Sequence, residues 1–254
     1  MAGVLAVGIL LQGTGTPVRA SEGPLTVAAA ADLIPVLPGL VRKFSEKTHI
    51  PVRVSYGSSG ELALEIRHRA PFDLFLSADA AFPESLAREG RVLGDSVKTY
   101  ATGVLVLWVS RSLLPSGTDK VPTLSMLSGS LVKKIALANP RLAPYGRAAL
   151  QCLRSRKLWA ELRGKVVYGN SLAQVAQYLE TGSADAGFLS GAQAIVLSRH
   201  AKGEYALLSP DCVPFLDQKM AIVTRSRHIR EARAFEDFLL GETARTLLES
   251  HGYH

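Results

Sequence analysis

The sequence predicts an α/β protein of two lobes with a ligand cleft between them, and three observations lead there. A short apolar run, a turn of small polar residues and a helix-like pattern follow one another at least five times along the 254 residues. That alternation is the pattern of a parallel sheet covered by helices. The repeats fall in two blocks on either side of a continuous apolar run at 104–109, which reads as a strand covered on both faces. A late strand at 220–223, followed by helices at about 229–240 and 242–250, suggests that the chain returns to the first block.

In order, the first run, 25–31, ends at Asp32, which reads as the N-cap of a helix with Leu33, Leu37, Leu40 and Phe44 on one face. Pro35 fits the first turn of that helix, whereas Pro38 lies deeper and should kink it or shift its start. Val52, Val54 and Tyr56 alternate as a strand and enter Gly57-Ser58-Ser59-Gly60. Ser58 and Glu61 then have the spacing of a capping box, opening a helix with Leu62 and Ile66. An apolar run at 72–77 leads to Asp79, the cap of a helix that stops at Gly90. Beyond the central run, 111–130 is loop-like, with Pro115, Gly117, Pro122 and Gly129 as breakers. A strand at 135–138 enters a Pro- and Gly-containing turn at 139–146 and then a helix through Ala149 and Leu153. A strand at 166–168 passes through Gly169-Asn170-Ser171 into a helix with Leu172, Val175 and Leu179, closed by Gly182. A last run at 186–189 ends at Ser190-Gly191 before another helical segment.

Composition narrows the function. A net charge of +7 invites a nucleic-acid reading, but the basic residues are scattered and lack an aromatic platform, so a solvated surface that helps anions approach is preferred. Residues 1–20 read as a signal peptide with the mature chain starting near Ser21, and no Cys follows the apolar run to anchor a lipid. Cys152 and Cys212 are the only cysteines; two buried thiols are the preferred reading, with a disulfide as the alternative. The six histidines form no metal-ligand spacing, there is no phosphate-binding P-loop, and Ser58 and Ser59 lack the frame of a nucleophile elbow. Ser130 and Lys133 match S-x-x-K, a weak pattern without its companion motifs. A hydrolase is therefore the less favoured class, and Asp73, Asp79 and Asp185 read as caps and turn ties.

The turns themselves suggest a ligand. The first N–H groups of a helix have no partner within it and carry partial positive charge, so small residues there let an anion approach. In sheets of this kind ligands bind beyond the carboxyl ends of the strands.

Ala-Ala-Ala-Asp-Leu at 29–33, Tyr-Gly-Ser-Ser-Gly at 56–60 and Ala-Pro-Phe-Asp-Leu-Phe-Leu-Ser-Ala-Asp at 70–79 come in a specific order. Ala-Asn-Pro-Arg-Leu-Ala-Pro-Tyr-Gly-Arg-Ala-Ala at 138–149 and Thr-Gly-Ser-Ala-Asp-Ala-Gly-Phe at 181–188 continue it. Over about 24–254 the chain resembles the periplasmic molybdate-binding proteins of ABC transporters. The resemblance implies a type II periplasmic binding protein fold, with lobes at 24–105 plus 218–254 and at 106–217. It implies an exported, soluble, periplasmic protein that binds molybdate or tungstate and passes it to a membrane permease and its ATPase. No enzyme activity, cofactor or nucleic acid is expected, and the chain is expected to be a monomer.

The same resemblance implies that neutral donors hold the oxyanion. Ser59 falls on the serine that gives its hydroxyl and N–H, and Tyr145 and Leu172 fall where backbone N–H groups contact the anion. Asp32 falls on a first-turn position usually held by Ser or Asn, and Ser190 where some members have a tyrosine hydroxyl. A carboxylate facing a dianion is repulsive. Asp32 is therefore expected to cap its own helix and offer its N–H; the alternative is that it accepts a protonated oxyanion such as hydrogen phosphate. Phosphate, sulfate and ferric iron remain alternative ligands, the last because Tyr56, Tyr100, Tyr145 and Tyr168 are available.

Overall fold

The computed structural model describes residues 23–114, 121–199, 202–213 and 216–254, and the signal-peptide reading of 1–20 lies outside them. Two five-stranded sheets, each covered by helices, carry the chain. The first contains β1 (Leu25–Ala30), β2 (Val52–Gly57), β3 (Leu74–Ser77), β4 (Lys98–Gly103) and β10 (Leu216–Ile222), in the order β2-β1-β3-β10-β4. The second contains β5 (Leu105–Ser110), β6 (Ile135–Ala138), β7 (Val166–Gly169), β8 (Ala186–Ser190) and β9 (Gly203–Leu207), in the order β7-β6-β8-β5-β9.

Both sheets are mixed, which corrects the expectation of parallel sheets. β1 runs parallel to β2 and β3, and β6 parallel to β7 and β8, as helix-linked strands should. β10 is antiparallel to β3 and β4, and β5 antiparallel to β8 and β9. The cause is the crossing between sheets. Only Val104 separates β4 from β5, so no helix turns the chain round before it enters the second sheet. β4 and β9 escaped the sequence reading because both are edge strands with polar or exposed positions such as Thr99, Thr102 and Glu204.

Helices fill the connections. α1 (Leu37–Thr48), α2 (Ser59–Arg67) and α3 (Ala81–Arg88) follow the first three strands, and α8 (Ile229–Leu239) and α9 (Glu242–Glu249) follow β10. Pro38 sits in the first turn of α1, so the proline shifted the helix start and left a short 3-10 turn at Ala31–Leu33 before it. Phe44 of α1 packs edge-to-face on Phe235 of α8, with ring centroids 4.7 Å apart. The second sheet is covered by α4 (Pro144–Ser155), the short α5 (Trp159–Leu162), α6 (Leu172–Glu180) and α7 (Gly191–Arg199). β5 is buried along almost its whole length, as its apolar run required.

Cys152 of α4 and Cys212, in the segment leading back to β10, form a disulfide, which corrects the preference for unpaired thiols. The two lie 60 residues apart, and nothing local in the sequence places them together. The bond ties α4 to the chain that returns to the first sheet. Closing a loop of this length restricts the unfolded chain, so reduction or a Cys152→Ser, Cys212→Ser double substitution is expected to lower stability by about 2–4 kcal/mol. Chemical denaturation with and without reductant measures the difference.

Candidate functional site

A small cavity of about 10 Å³ lies between the two sheets, where the carboxyl ends of their parallel strands face each other. From the first sheet it is lined by Ala30, Ala31 and Asp32 after β1, Gly57, Ser58 and Ser59 after β2, and Ala78 after β3. From the second it is lined by Ala143, Pro144 and Tyr145 at the start of α4 and Leu172 at the start of α6. No Lys or Arg lines it, so any field for an anion comes from N–H and O–H groups.

The two serines of the β2–α2 turn divide the work. Ser58 is consumed by the capping box: its Oγ accepts the Glu61 N–H and donates to Glu61 Oε2 at 2.9 Å. Ser59 Oγ instead accepts the Ala78 N–H at 3.0 Å, which leaves its own proton to donate. α4 has no side-chain cap and starts with Pro144, whose missing N–H costs nothing there. Among the described residues, no hydrogen bond takes the N–H of Tyr145 or Leu172. These are first-turn donors, and the cavity receives them.

Three contacts hold the two walls together besides a hydrogen bond from Gln218 to Tyr145. The Gly60 N–H donates to the Leu142 carbonyl at 2.8 Å, and a Cβ on Gly60 would stand 2.8 Å from that oxygen. Gln193 Nε2 donates to the Ala31 carbonyl at 3.2 Å. Arg147 of α4 pairs with Asp79, which also accepts the Phe82 N–H near the start of α3 as its capping role requires.

Asp32 departs from expectation. It caps no helix: the 3-10 turn has no side-chain cap, and the Asp32 side chain is turned into the protein. Its Oδ2 accepts from Gln218 Nε2 at 2.6 Å and from the Tyr253 hydroxyl at 3.1 Å. Gln218 Nε2 also donates to the Tyr145 hydroxyl at 3.1 Å, while Gln218 Oε1 accepts from Tyr100 at 2.8 Å. Tyr253 is placed by the neighbouring His254, which exchanges backbone hydrogen bonds with Thr102 of β4. Gly103 makes room for the cluster, since a Cβ there would meet the Tyr145 hydroxyl and Gln218. Gln218 and Tyr253 were not singled out from sequence, because they are distant residues without a motif, and Tyr100 was considered only as a ligand for iron.

Burial pushes the Asp32 carboxyl up to about 6, against the pull of its hydrogen bonds from Gln218 and Tyr253. Oδ1 has no hydrogen-bond partner. Burial likewise raises Tyr100, Tyr145 and Tyr253 well above the ordinary tyrosine value, with the Asp32 charge adding to it.

Ser190 is buried at the end of β8 but does not line the cavity; its Oγ accepts the Gln193 N–H at the start of α7. The four tyrosines considered for iron do not converge: Tyr56 and Tyr168 are exposed, and the hydroxyls of Tyr100 and Tyr145 both meet Gln218. Ser130 and Lys133 are exposed. A larger cavity of about 510 Å³ lies at the opposite end of the first sheet, around Asp73, whose carboxylate is already taken by Thr26, Ser226 and His228. Among the described residues no helix is long and apolar enough to cross a membrane.

Residues 25–254 match the family described as bacterial extracellular solute-binding protein. The chain is 32% identical over 234 residues to the molybdate-binding protein ModA of Azotobacter vinelandii, covering 92% of this chain and 91% of that one. It is 30% identical over 256 residues to the molybdate-binding protein ModA of Rhodobacter capsulatus, covering 99% and 95%. The solved structure of the Azotobacter vinelandii periplasmic molybdate-binding protein superposes with a TM-score of 0.81 at 30% identity, covering 91% of this chain and 98% of that one.

The Asp32 shift has a stability consequence. Its carboxyl rises from 3.8 unfolded to about 6 folded, so the native state holds the proton more tightly. Stability is then greatest below pH 4 as far as this group is concerned, falls between pH 4 and 6, and stays lower above by about 3 kcal/mol. Asp32→Asn, which keeps the shape and removes the charge, is expected to stabilise the folded protein at pH 7.5 and have little effect at pH 4. Thermal unfolding at the two pH values checks the sign.

Proposed function

Since the chain belongs to the bacterial extracellular solute-binding protein family, we propose that it captures molybdate, and tungstate with it, and delivers the anion to an ABC-transporter permease and its ATPase. One observation carries this reading: helix starts from both sheets meet at one cavity lined by N–H and O–H donors and by no cation. Charge-assisted hydrogen bonds to a tetrahedral dianion are strong, and oriented amides supply them without a counter-charge that would oppose release. Ser59 gives its hydroxyl and N–H from the first lobe. Tyr145 and Leu172 give N–H groups from the second, and Asp32 adds its own N–H beside them. Ser190 acts from behind the wall by capping α7 and makes no contact of its own.

The lobes are 24–105 with 218–254, and 106–217, and they open and close about the crossings at Val104 and before β10. The chain binds and releases without chemistry and works as a monomer. The Cys152–Cys212 disulfide supports an extracytoplasmic setting, since such bonds persist where the surroundings are oxidising. The relatives named molybdate-binding proteins support the choice of ligand.

Titration calorimetry with molybdate, tungstate, sulfate and phosphate tests the reading. Binding of the first two and not of phosphate is expected; failure of every tetrahedral anion to bind would falsify it. Ser59→Ala is expected to weaken molybdate by about 1.5–3 kcal/mol, the scale of a hydrogen bond to a charged group. Gly60→Ala places a methyl against Leu142 and blocks the closed form. It is expected to weaken binding by more than about tenfold through the smaller competent population, with an unchanged circular dichroism spectrum.

A further inference from the structure

Asp32 presents a conflict that the oxyanion reading leaves standing. Asp32 lines the same cavity as the donor groups and is 1% exposed. Oδ2 is held by Gln218 and Tyr253 and the Tyr145 hydroxyl also draws on the carboxylate, but Oδ1 makes no hydrogen bond of ordinary geometry. A buried carboxylate oxygen left in this way is costly, and a dianion placed beside it adds repulsion in low dielectric.

Among the described residues, no hydrogen bond or ion pair brings a cation to it. The groups that face it are Tyr100 from β4, Tyr145 from α4, Gln218 from β10 and Tyr253 at the C-terminal end, all neutral. Of the charged residues on those elements, Lys98 pairs with Glu236, Arg147 with Asp79 and Lys219 with Glu84, and neither Arg154 nor Asp217 bonds to the Asp32 carboxylate. Gln193, which reaches the adjacent Ala31 carbonyl from α7, carries no charge. A proton is the species left that can settle the site.

We propose that Asp32 is a specificity-determining donor of this site: it meets the dianion as a neutral carboxylic acid whose Oδ1 proton is donated to an anion oxygen, so that capture takes up one proton from solvent. The proposal rests on the oxyanion reading above. It reverses the sequence-based alternative for Asp32, because the proton resides on the protein and the anion stays fully deprotonated. The proton enters with the anion and returns to solvent when the lobes open. The upward displacement of the carboxyl already present in the closed protein is in the direction this requires. An aspartate here makes retention of the anion pH-dependent, which a serine or asparagine would not.

The test is calorimetry of the full chain with molybdate at pH 7 and pH 8, each in two buffers of different ionisation enthalpy and without phosphate. Uptake of about one proton per anion is expected, and linkage then makes the affinity fall about tenfold between the two pH values. In Asp32→Asn the amide donates in place of the acid. Its proton uptake is expected to vanish, its affinity to be equal at pH 7 and 8, and its binding at pH 8 to exceed that of the unsubstituted protein. Binding with no proton uptake overturns the proposal while leaving the functional reading intact. Equal uptake in the Asn variant also overturns it, because the proton then belongs to another group. Should no oxyanion bind either protein, both readings fall. If the variant does not fold, the two-buffer measurement on the unsubstituted chain decides alone.

Discussion

A carboxylate with no cation near it stands where the two sheets, the return strand and the C-terminal end of the chain meet. Asp32 comes from the first crossing out of β1, Gln218 from the strand that returns from the second lobe, Tyr145 from the first turn of α4, and Tyr253 from the end of the chain. Buried polar groups must be paired, so these four elements are held in one relative arrangement. That arrangement also aims the first turn of α4 at the turn after β2. The placement of Tyr145 and Ser59 on opposite walls of one cavity therefore depends on hydrogen bonds made behind the cavity, not in it.

The division between wall and support explains why two adjacent serines differ. Ser58 closes on Glu61 and stabilises the start of α2. Ser59, one residue on, is fixed by the Ala78 N–H from the neighbouring strand and keeps a proton free. A helix start can serve a ligand only if something other than its ligand-facing donors makes the helix begin there. Ser58 does this for α2, Pro144 for α4, and Ser171, which accepts the Gln174 N–H, for α6.

What was legible in the sequence follows from the range of each interaction. The Ser58–Glu61 box spans three residues and was readable as spacing. The helix start displaced by Pro38 and the closing glycine Gly182, at φ +72°, were readable for the same reason. The partners of Asp32 lie 186 and 221 residues away, and a local capping rule therefore assigned the side chain wrongly. Cys152 and Cys212 were visible, but their meeting depends on how α4 lies against the return to β10. The mixed character of the sheets turned on the two crossings between them, at Val104 and from β9 to β10, neither of which carries a helix.

The closed arrangement is held by few direct contacts: one backbone hydrogen bond from Gly60, side-chain bonds from Gln193 and from Gln218 to Tyr145, and the pairing of Arg147 with Asp79. The guanidinium of that pair is partly exposed, so its contribution is small, under about 1 kcal/mol. On the proposed function, a ligand adds to these contacts through its preference for the closed form. On that reading an anion bridging Ser59 to Tyr145 and Leu172 does so, because it bonds to both walls only when they meet. The charge on Asp32 works against the same closure. Its neutralisation and the arrival of the anion then favour a single state, and the loss of either favours opening.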